Sequence, residues 1–411
     1  MINPNQLKGP YAGPYAPVQP HLPNTFSAPA PAKPKQPRMR EEDAKRYINY
    51  LADYSGCGFW RILWPEMLIN QSGLGISTSL TAMVLDPSWY RDVACIKFQR
   101  QASDSQKKFI QHLRAIREKH NYKFKMVYEV DDVVFREEIP DYNKFKFAFD
   151  NDNVRQNCID IINLCDEVTV TCDYMRELYK EKTGKQEITV VPNFIPDFWL
   201  GHVYDKNSVY KAYDKHKSKP RVLYTGSGAH YDVDNKNGGI DDFSHVVDTV
   251  VKTIDKYQWI FVGAFPPKLM PYVKSGKIEF HPWQTLTNYP AMLSNLQATV
   301  MIAPLLDNSF NRSKSDIKFI EACALGVPCM VQDMETYKNA PEFLKFKTGE
   351  ELEIKIDAVV KNKAQYYKNV SIFRGVAEQR FLERPENIGA HLEVLNTPYG
   401  SDQRKYLQKW N

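Results

Sequence analysis

The sequence predicts an α/β protein made of two doubly wound parallel sheets, one after the other along the chain. Three observations lead there. Short apolar runs rich in β-branched residues alternate with segments of helical period, as parallel strands with helices on both faces require. That alternation occurs twice. Between the two series lies a polar, lysine-rich stretch, Asp205 to Pro220, with no period of its own.

A chain of 411 residues has material for two cores. Lys and Arg number 54 against 49 Asp and Glu, a net charge of +5, which is compatible with an anionic partner without demanding one. No run approaches the roughly 18 apolar residues of a membrane span. The N-terminus lacks the charged-then-apolar layout of a signal peptide. Seven cysteines, with no C-x-x-C among them, argue for reduced thiols in a cytoplasm. Cys158, Cys165 and Cys172 recur every seven residues. They read as packing, because no histidine or fourth cysteine joins them to make a metal site.

Residues 1–40 hold 10 of the 26 prolines and few large aliphatic residues. Such a tail cannot bury enough surface to offset its ordering entropy, and it reads as disordered. It is a linker, an arm that docks on a partner, or a tolerated extension. The first domain spans residues 41–204. Glu41 to Tyr54 reads as a helix and Phe59 to Leu68 as the first strand. Asn70 to Ser79 then forms a glycine loop, with Gly73 and Gly75 ahead of a helix, where backbone amides approach an anion closely. Strands follow at Ala94 to Phe98, Lys125 to Val130, Glu167 to Thr171 and Ile188 to Val191. Helices lie between them at Ser105 to His120, Asn153 to Cys165 and Tyr174 to Thr183. Asp131 and Asp132 stand at a strand end, where a parallel sheet faces its ligand crevice.

The linker occupies residues 205–220 and the second domain residues 221–384. Its expected strands are Arg221 to Thr225, Trp259 to Val262, Lys277 to Phe280, Thr299 to Pro304 and Val327 to Val331. Its helices lie near Asp241 to Ile254, Tyr289 to Leu296 and Lys314 to Leu325. The end of the chain reads as helices, from Gln365 and again from Arg384, with residues 385–411 as the final one. Two doubly wound domains leave a cleft between two sets of strand ends, the default ligand site.

Within the second domain the stretch Asn311 to Asp333 is the most informative. Ser313 and Asp316 have the form of a capping box, which starts a helix near Lys314. Gly326 and Pro328 end it. At roughly 100° per residue Lys314 and Glu321 share one side, with Lys318 close by. A helix start with free amides and a lysine suits a diphosphate, and a carboxylate two turns on suits ribose hydroxyls. The alternative is an amphipathic helix with solvated charges. His230 with Asp232 contacts a ligand or forms a structural pair.

The segments CDEVTVTCDYMRELY, ITVVPNFIPDFW, YTGSGAHYD, WIFVG and APLLDNSFNRSKSDIKFIEACALGVP, in that order and spacing, resemble GT-B glycosyltransferases. The likeness is to retaining, nucleotide-sugar-dependent enzymes, in particular the branch carried by bacteriophages. It covers nearly everything after the tail. It implies two Rossmann-like domains facing each other across a cleft, with the final helix crossing back to the first domain, a UDP-sugar as donor and no bound cofactor or metal. Gly226, Ser227 and Gly228 are then expected to bring backbone to the donor phosphates. Lys314 would neutralise the diphosphate, Ser315 would donate to it and Lys318 would stand beside it. Glu321 would bind the ribose, Trp283 the base, and Gly73 and Gly75 would form the first-domain glycine loop. Ser313 stands where the family's Glu-x7-Glu pattern has its first acid, which implies a different contact to the donor sugar.

The resemblance makes Lys314, Asp131, Asp132 and His230 the expected catalytic group. Asp131 and Asp132 would orient hydroxyls, or supply a general base if the enzyme inverts; a solvated strand cap is the other reading. An acid-x-acid metal site at Glu129 and Asp131 is a further alternative that the two-domain pattern disfavours. The phage branch implies 5-hydroxymethylcytosine in double-stranded DNA as acceptor, with arabinose or glucose as the sugar and the host cytoplasm as location. The lysine-rich segments Lys206 to Lys219 and Lys144 to Lys146 suit a DNA backbone or plain solvent. A glycan, lipid or protein acceptor, and a catalytically degenerate binding module, remain the rival readings.

Overall fold

The computed structural model of the chain describes residues 44–54, 56–81, 85–150, 152–196, 199, 206–234 and 237–397. The proline-rich segment expected over residues 1–40 lies outside the described residues, as do residues 398–411. Among the described residues the strands form two six-stranded sheets. The first contains β1 (Arg46–Tyr50), β2 (Ile76–Leu80), β3 (Val93–Gln99), β4 (Lys125–Glu129), β5 (Glu167–Val170) and β6 (Ile188–Val190). The second contains β7 (Arg221–Gly226), β8 (Gln258–Gly263), β9 (Glu279–His281), β10 (Val300–Ala303), β11 (Cys329–Gln332) and β12 (Lys345–Phe346). Their orders are β2-β1-β3-β4-β5-β6 and β12-β11-β10-β7-β8-β9, and every pairing within them is parallel. Strand order reverses at β1 in the first sheet and at β7 in the second. Ligand crevices of parallel sheets lie outside the carboxyl ends of the strands at such switch points. The segments after β1, β3 and β7 therefore line these crevices.

The start of the first sheet differs from the sequence-based expectation. Residues 46–50, expected in a helix, are the internal strand β1, with Tyr47, Ile48 and Tyr50 buried. Tyr and Ile suit a pleated, buried surface better than the charged flanks suggest. Residues 59–68, expected as a strand, are helical: a π-turn over Phe59–Leu63 runs into a helix over Trp64–Ser72. The run FWRILW is apolar on all sides, so its period cannot separate a buried helix from a strand. Gly73 ends that helix at φ 68°, and its N–H and that of Leu74 close the C-terminal turn. Gly73 and Gly75 thus precede a strand, at the amino edge of the sheet, away from the crevice. A Cβ on Gly75 would lie 2.6 Å from the Tyr47 ring, so this glycine serves packing. The true turn after β1 carries Gly56 and Gly58.

The expected linker is largely a helix, Lys206–His216. Val209, Ala212 and Tyr213 are buried on one of its faces. Tyr210 stacks on Tyr367 with ring centroids 3.7 Å apart, and the Tyr213 hydroxyl donates to the Val360 carbonyl. Tertiary packing of tyrosines overrides the weak helical preference of a lysine-rich stretch. The helix expected over Asp241 to Ile254 shrinks to Val247–Lys252, and Gly349–Lys361 is an additional helix. The last described helices are Lys363–Gln379 and Pro385–Asn396. The second of these lies against the first sheet. Its Val394 carbonyl accepts from Lys125 Nζ at 2.9 Å, and its Asn396 side chain accepts from Tyr47 at 2.7 Å.

One apolar core runs from Tyr47, Trp60 and Trp64 through Phe194, Ile195 and Trp199 into the second sheet. A second core covers the other face of the first sheet and holds Cys158 and Cys165, with Cys172 packed against it. All seven cysteines are free thiols.

Arg61 is the polar exception at the join. It is fully buried and donates to Glu129 at 2.6 Å, to the Val191 carbonyl at 2.6 Å and to Asn193 Oδ1 at 3.0 Å. Thr169 donates to the second Glu129 oxygen. Removing one partner of a buried ion pair leaves the other charge uncompensated. Arg61→Ala should therefore lower unfolding free energy by about 3–5 kcal/mol, read as a shift of the urea midpoint.

Candidate active site

The carboxyl ends of β7 and β8 are glycines set side by side, Gly226 opposite Gly263. Gly263 has φ 91°, and a Cβ there would lie 2.6 Å from the Gly226 carbonyl and 2.9 Å from the Trp283 indole. A side chain at this point would fill the crevice mouth, so glycine is required by space as well as by backbone. Beyond Gly226, Ser227 caps the short turn Gly228–His230 by accepting from the Ala229 N–H at 3.2 Å.

His230 links that turn to the helix over Ile317–Leu325. Its Nδ1 lies 2.6 Å from Asp242 Oδ2, and its Nε2 lies 3.3 Å from Lys318 Nζ. Burial, then the Lys318 charge, hold His230 down to about 4 despite the Asp242 carboxylate. The ring is therefore neutral near pH 7, with Nδ1–H donating to Asp242 and Nε2 accepting from the lysine. The pairing with Asp232 that the sequence suggests does not form. Asp232 accepts instead from the backbone N–H groups of Asn237 and Gly239, each at 2.9 Å.

Asp242 gathers donors from four places. Besides His230 these are Tyr142 Oη at 2.7 Å, Asn311 Nδ2 at 2.6 Å and the Leu306 N–H at 2.9 Å. Burial alone would raise its carboxyl; His230 and the other donors reverse that and hold it below the ordinary range. The sequence reading missed Asp242 because its partners lie 12 to 100 residues away.

Lys314, Lys318 and Glu321 come from one loop and helix, as expected, but the helix starts later. Ser309–Arg312 is a short separate helix with Asn308 as its N-cap, and Ser313 is its C-terminal residue. The Ser313 hydroxyl donates back to the Ser309 carbonyl at 2.8 Å, so it caps nothing beyond itself. Asp316 stands at the N-cap of the Ile317–Leu325 helix without a capping bond. Its carboxylate is held by Arg380 at 2.9 and 3.0 Å instead. Bidentate Arg–carboxylate geometry outcompetes the local cap. Lys314 sits in the loop with its amine 4.3 Å over the Phe310 ring. Ser315 accepts from Asn193 Nδ2 at 2.9 Å.

Glu321 is buried and accepts from the Tyr289 hydroxyl at 3.4 Å; Tyr289 in turn lies 6.3 Å from Trp283, centroid to centroid. Trp283 is 53% exposed at the mouth. A line of aromatic ring, phenol and carboxylate thus runs inward beside the glycine turn. Burial pushes Glu321 up to about 7, against the pull of Lys318 and Tyr289. Burial and the neighbouring Lys314 charge push Lys318 down to about 8. Two lysines beside a glycine turn, one of them buried enough to titrate low, form a site suited to an anion.

Asp131 and Asp132 lie apart from this cluster, at the end of β4. Asp131 Oδ1 is buried with no hydrogen bond, 3.7 Å from Arg100 Nε. Arg100 adopts φ 45° at the end of β3 and donates to Asp53 at 2.5 Å. Burial raises the Asp131 carboxyl above its usual range, against Arg100 and the adjacent Cys57 thiol. The Asp132 side chain takes the Val133 N–H. The structure thus makes two clusters: a cationic one at β7 and a carboxylate one at β1, β3 and β4. Arg100 and Cys57 belong to the second and were not singled out from sequence. Among the described residues no group of three or more His, Cys, Asp and Glu is placed to hold a metal ion. No helix among them is long and apolar enough to cross a membrane.

An anion bound between these lysines should favour the protonated Lys318. Affinity for inorganic pyrophosphate should fall as pH rises from about 7 to about 9, through the Lys318 titration. At pH 8 binding should take up protons, seen as calorimetric heats that change with the ionisation enthalpy of the buffer.

No protein-family model matches the sequence, and a search of curated proteins finds no match. Solved structures do match. HepE from Anabaena in complex with UDP aligns over 89% of this chain and 99% of its own, with 11% identity and a TM-score of 0.54. Sucrose-phosphate synthase from Thermosynechococcus elongatus aligns over the same shares, 89% and 99%, with 14% identity and a TM-score of 0.57. HepE in complex with UDP-glucose covers 85% of this chain at a TM-score of 0.54. At such identities the likeness establishes architecture: the fold is GT-B, two Rossmann-like halves facing each other across a cleft.

Proposed function

We propose that the protein is a glycosyltransferase that moves a sugar from a UDP-sugar to a hydroxyl acceptor, with retention at the anomeric carbon and without a bound metal. The observation that carries this reading is the convergence of the Gly226–Gly228 turn, Lys318 and Glu321 at the switch point of the second sheet. Fold-mates of known structure were solved with UDP and with UDP-glucose. In this reading Trp283 flanks the base, Glu321 accepts from the ribose, and the turn amides with Lys314 and Lys318 face the diphosphate. Fixed amides and cations need no reorganisation as charge grows on the leaving group. The bond from C1 to the β-phosphate oxygen breaks, with its electron pair left on the phosphate. The acceptor oxygen bonds to C1, and its proton passes to the leaving phosphate. Ser313 spends its hydroxyl on the Ser309 carbonyl, so the sugar's contact at this position comes from other groups.

The acceptor faces the carboxylate cluster at β1, β3 and β4, where Asp131 Oδ1, without a hydrogen bond of its own, orients the hydroxyl by accepting a hydrogen bond from it while the proton goes to the leaving phosphate. We place 5-hydroxymethylcytosine in DNA first among acceptors. The sequence resemblance supports this, as does the loop Lys144-Phe145-Lys146-Phe147, whose rings are 49% and 70% exposed beside the cleft. Interleaved cations and exposed rings suit a nucleic acid.

Incubation with hydroxymethylated DNA and a panel of UDP-sugars should yield glycosylated nucleoside by mass spectrometry. Lys318→Ala should lower kcat by about 100-fold or more. Release of UDP with any acceptor but no modified nucleoside would retain the transferase and reject the DNA acceptor. No UDP release and no donor binding across the panel would reject both. The anomeric configuration, read by NMR, tests retention.

A further inference from the structure

The segment over residues 136–150 belongs to the N-terminal half, yet it is fastened to the C-terminal half. Tyr142 Oη donates to Asp242 and accepts from Asn308 Nδ2 at 3.3 Å and Asn311 Nδ2 at 3.0 Å. Ser309 Oγ donates to Glu138 Oε2 at 2.5 Å. Two residues after Tyr142, the Lys144 side chain reaches the glycine turn. A Cβ built on Gly228 would lie 2.9 Å from Lys144 Nζ and 3.1 Å from its Cε. The lysine therefore occupies the space that the missing side chain leaves free. Lys146, next but one, is paired with Asp141 at 2.7 Å. Among the described residues Lys144 makes no ion pair; its recorded contact is the Phe145 ring, 5.1 Å away.

Lys144 is exposed and holds its ammonium beside the Gly228 backbone, so an anion lying on the glycine turn would meet that charge directly. A lysine on a flexible stem, anchored two residues away by a buried hydroxyl, can contact such an anion at little entropic cost. We propose that Lys144 is a phosphate-contacting residue of the donor site, supplied by the opposite half, so that a nucleoside diphosphate is gripped from both sides of the cleft. This rests on the reading of the site as a donor site. Gly228 is glycine in order to admit that amine, and Tyr142 positions it.

The test compares UDP with uridine by calorimetry on the full chain. Wild-type protein should bind UDP more tightly than uridine. Lys144→Gln should weaken UDP by about tenfold and leave uridine unchanged, since loss of a charged hydrogen bond touches only the phosphates. Lys144→Arg should recover part of the loss, and Lys252→Gln, a surface control paired with Glu353, should change neither ligand. Equal UDP affinity for wild type and Lys144→Gln overturns this role while leaving the donor site standing. Equal loss of UDP and uridine also overturns it, since the effect would then be on packing. Wild-type protein that binds neither ligand overturns the donor site and this inference together.

Discussion

The geometry of the cleft depends on one buried carboxylate. Asp242 is 1% exposed, and four donors converge on it from the glycine turn, the loop after β10, the short helix at Ser309–Arg312 and the N-terminal half. A charge in such a place is tolerated only when every lone pair is answered. Here the answering groups are the very elements that must be held in register for a ligand to be gripped. His230 is kept neutral and pointed at Lys318; Tyr142 is kept pointed across the cleft. The carboxylate thus converts a desolvation penalty into positional order. A half-satisfied network at this point would be worse than none.

Most of the second sheet was legible in the sequence. Runs such as VLYTG, WIFVG and VMIAP are short, apolar and bounded by glycine or proline, and a strand buried on both faces has little freedom to look otherwise. The cationic cluster was legible because its members are close in sequence: Lys314 in a loop, Lys318 and Glu321 on the helix that follows it, and the glycines at and just beyond a strand end. The first sheet was less so. FWRILW packs on all sides as a helix, and RYINY, set among charges, became an internal strand through contacts with residues 76–80 and 93–98. The capping box failed because Arg380 claims Asp316 from 64 residues away. Lys144 is exposed, as its charge suggests, but its place beside Gly228 follows from the packing of Tyr142 against Asp242, which no local pattern shows. Local patterns report local competition, and these assignments were decided by distant partners.

The electrostatics of the two clusters are opposed. At β7 burial and the neighbouring Lys314 charge outweigh the Asp242 and Glu321 carboxylates, and Lys318 yields by titrating low. At β4 a carboxylate is buried with too few donors, and Asp131 yields by titrating high. Each crevice is frustrated in the sense that matching chemistry from a ligand would relieve. An anion would relieve the first and a hydroxyl the second.

The chain passes between the halves near residues 191–196 and returns near residue 381, and these two passages are paired. Ile195 and Phe381 form a parallel bridge, with Ile195 N–H donating to the Arg380 carbonyl and Leu382 N–H to the Ile195 carbonyl, both at 2.8 Å. A single strand would act as a universal joint, free to bend, twist and slide. A zipped pair acts as a leaf spring. It resists sliding and splaying and leaves torsion about its own length as the soft coordinate. Opening of the cleft would run mainly as a rotation about this pair, and the ties from Tyr142 to Asp242 and from Ser309 to Glu138 would have to part for it.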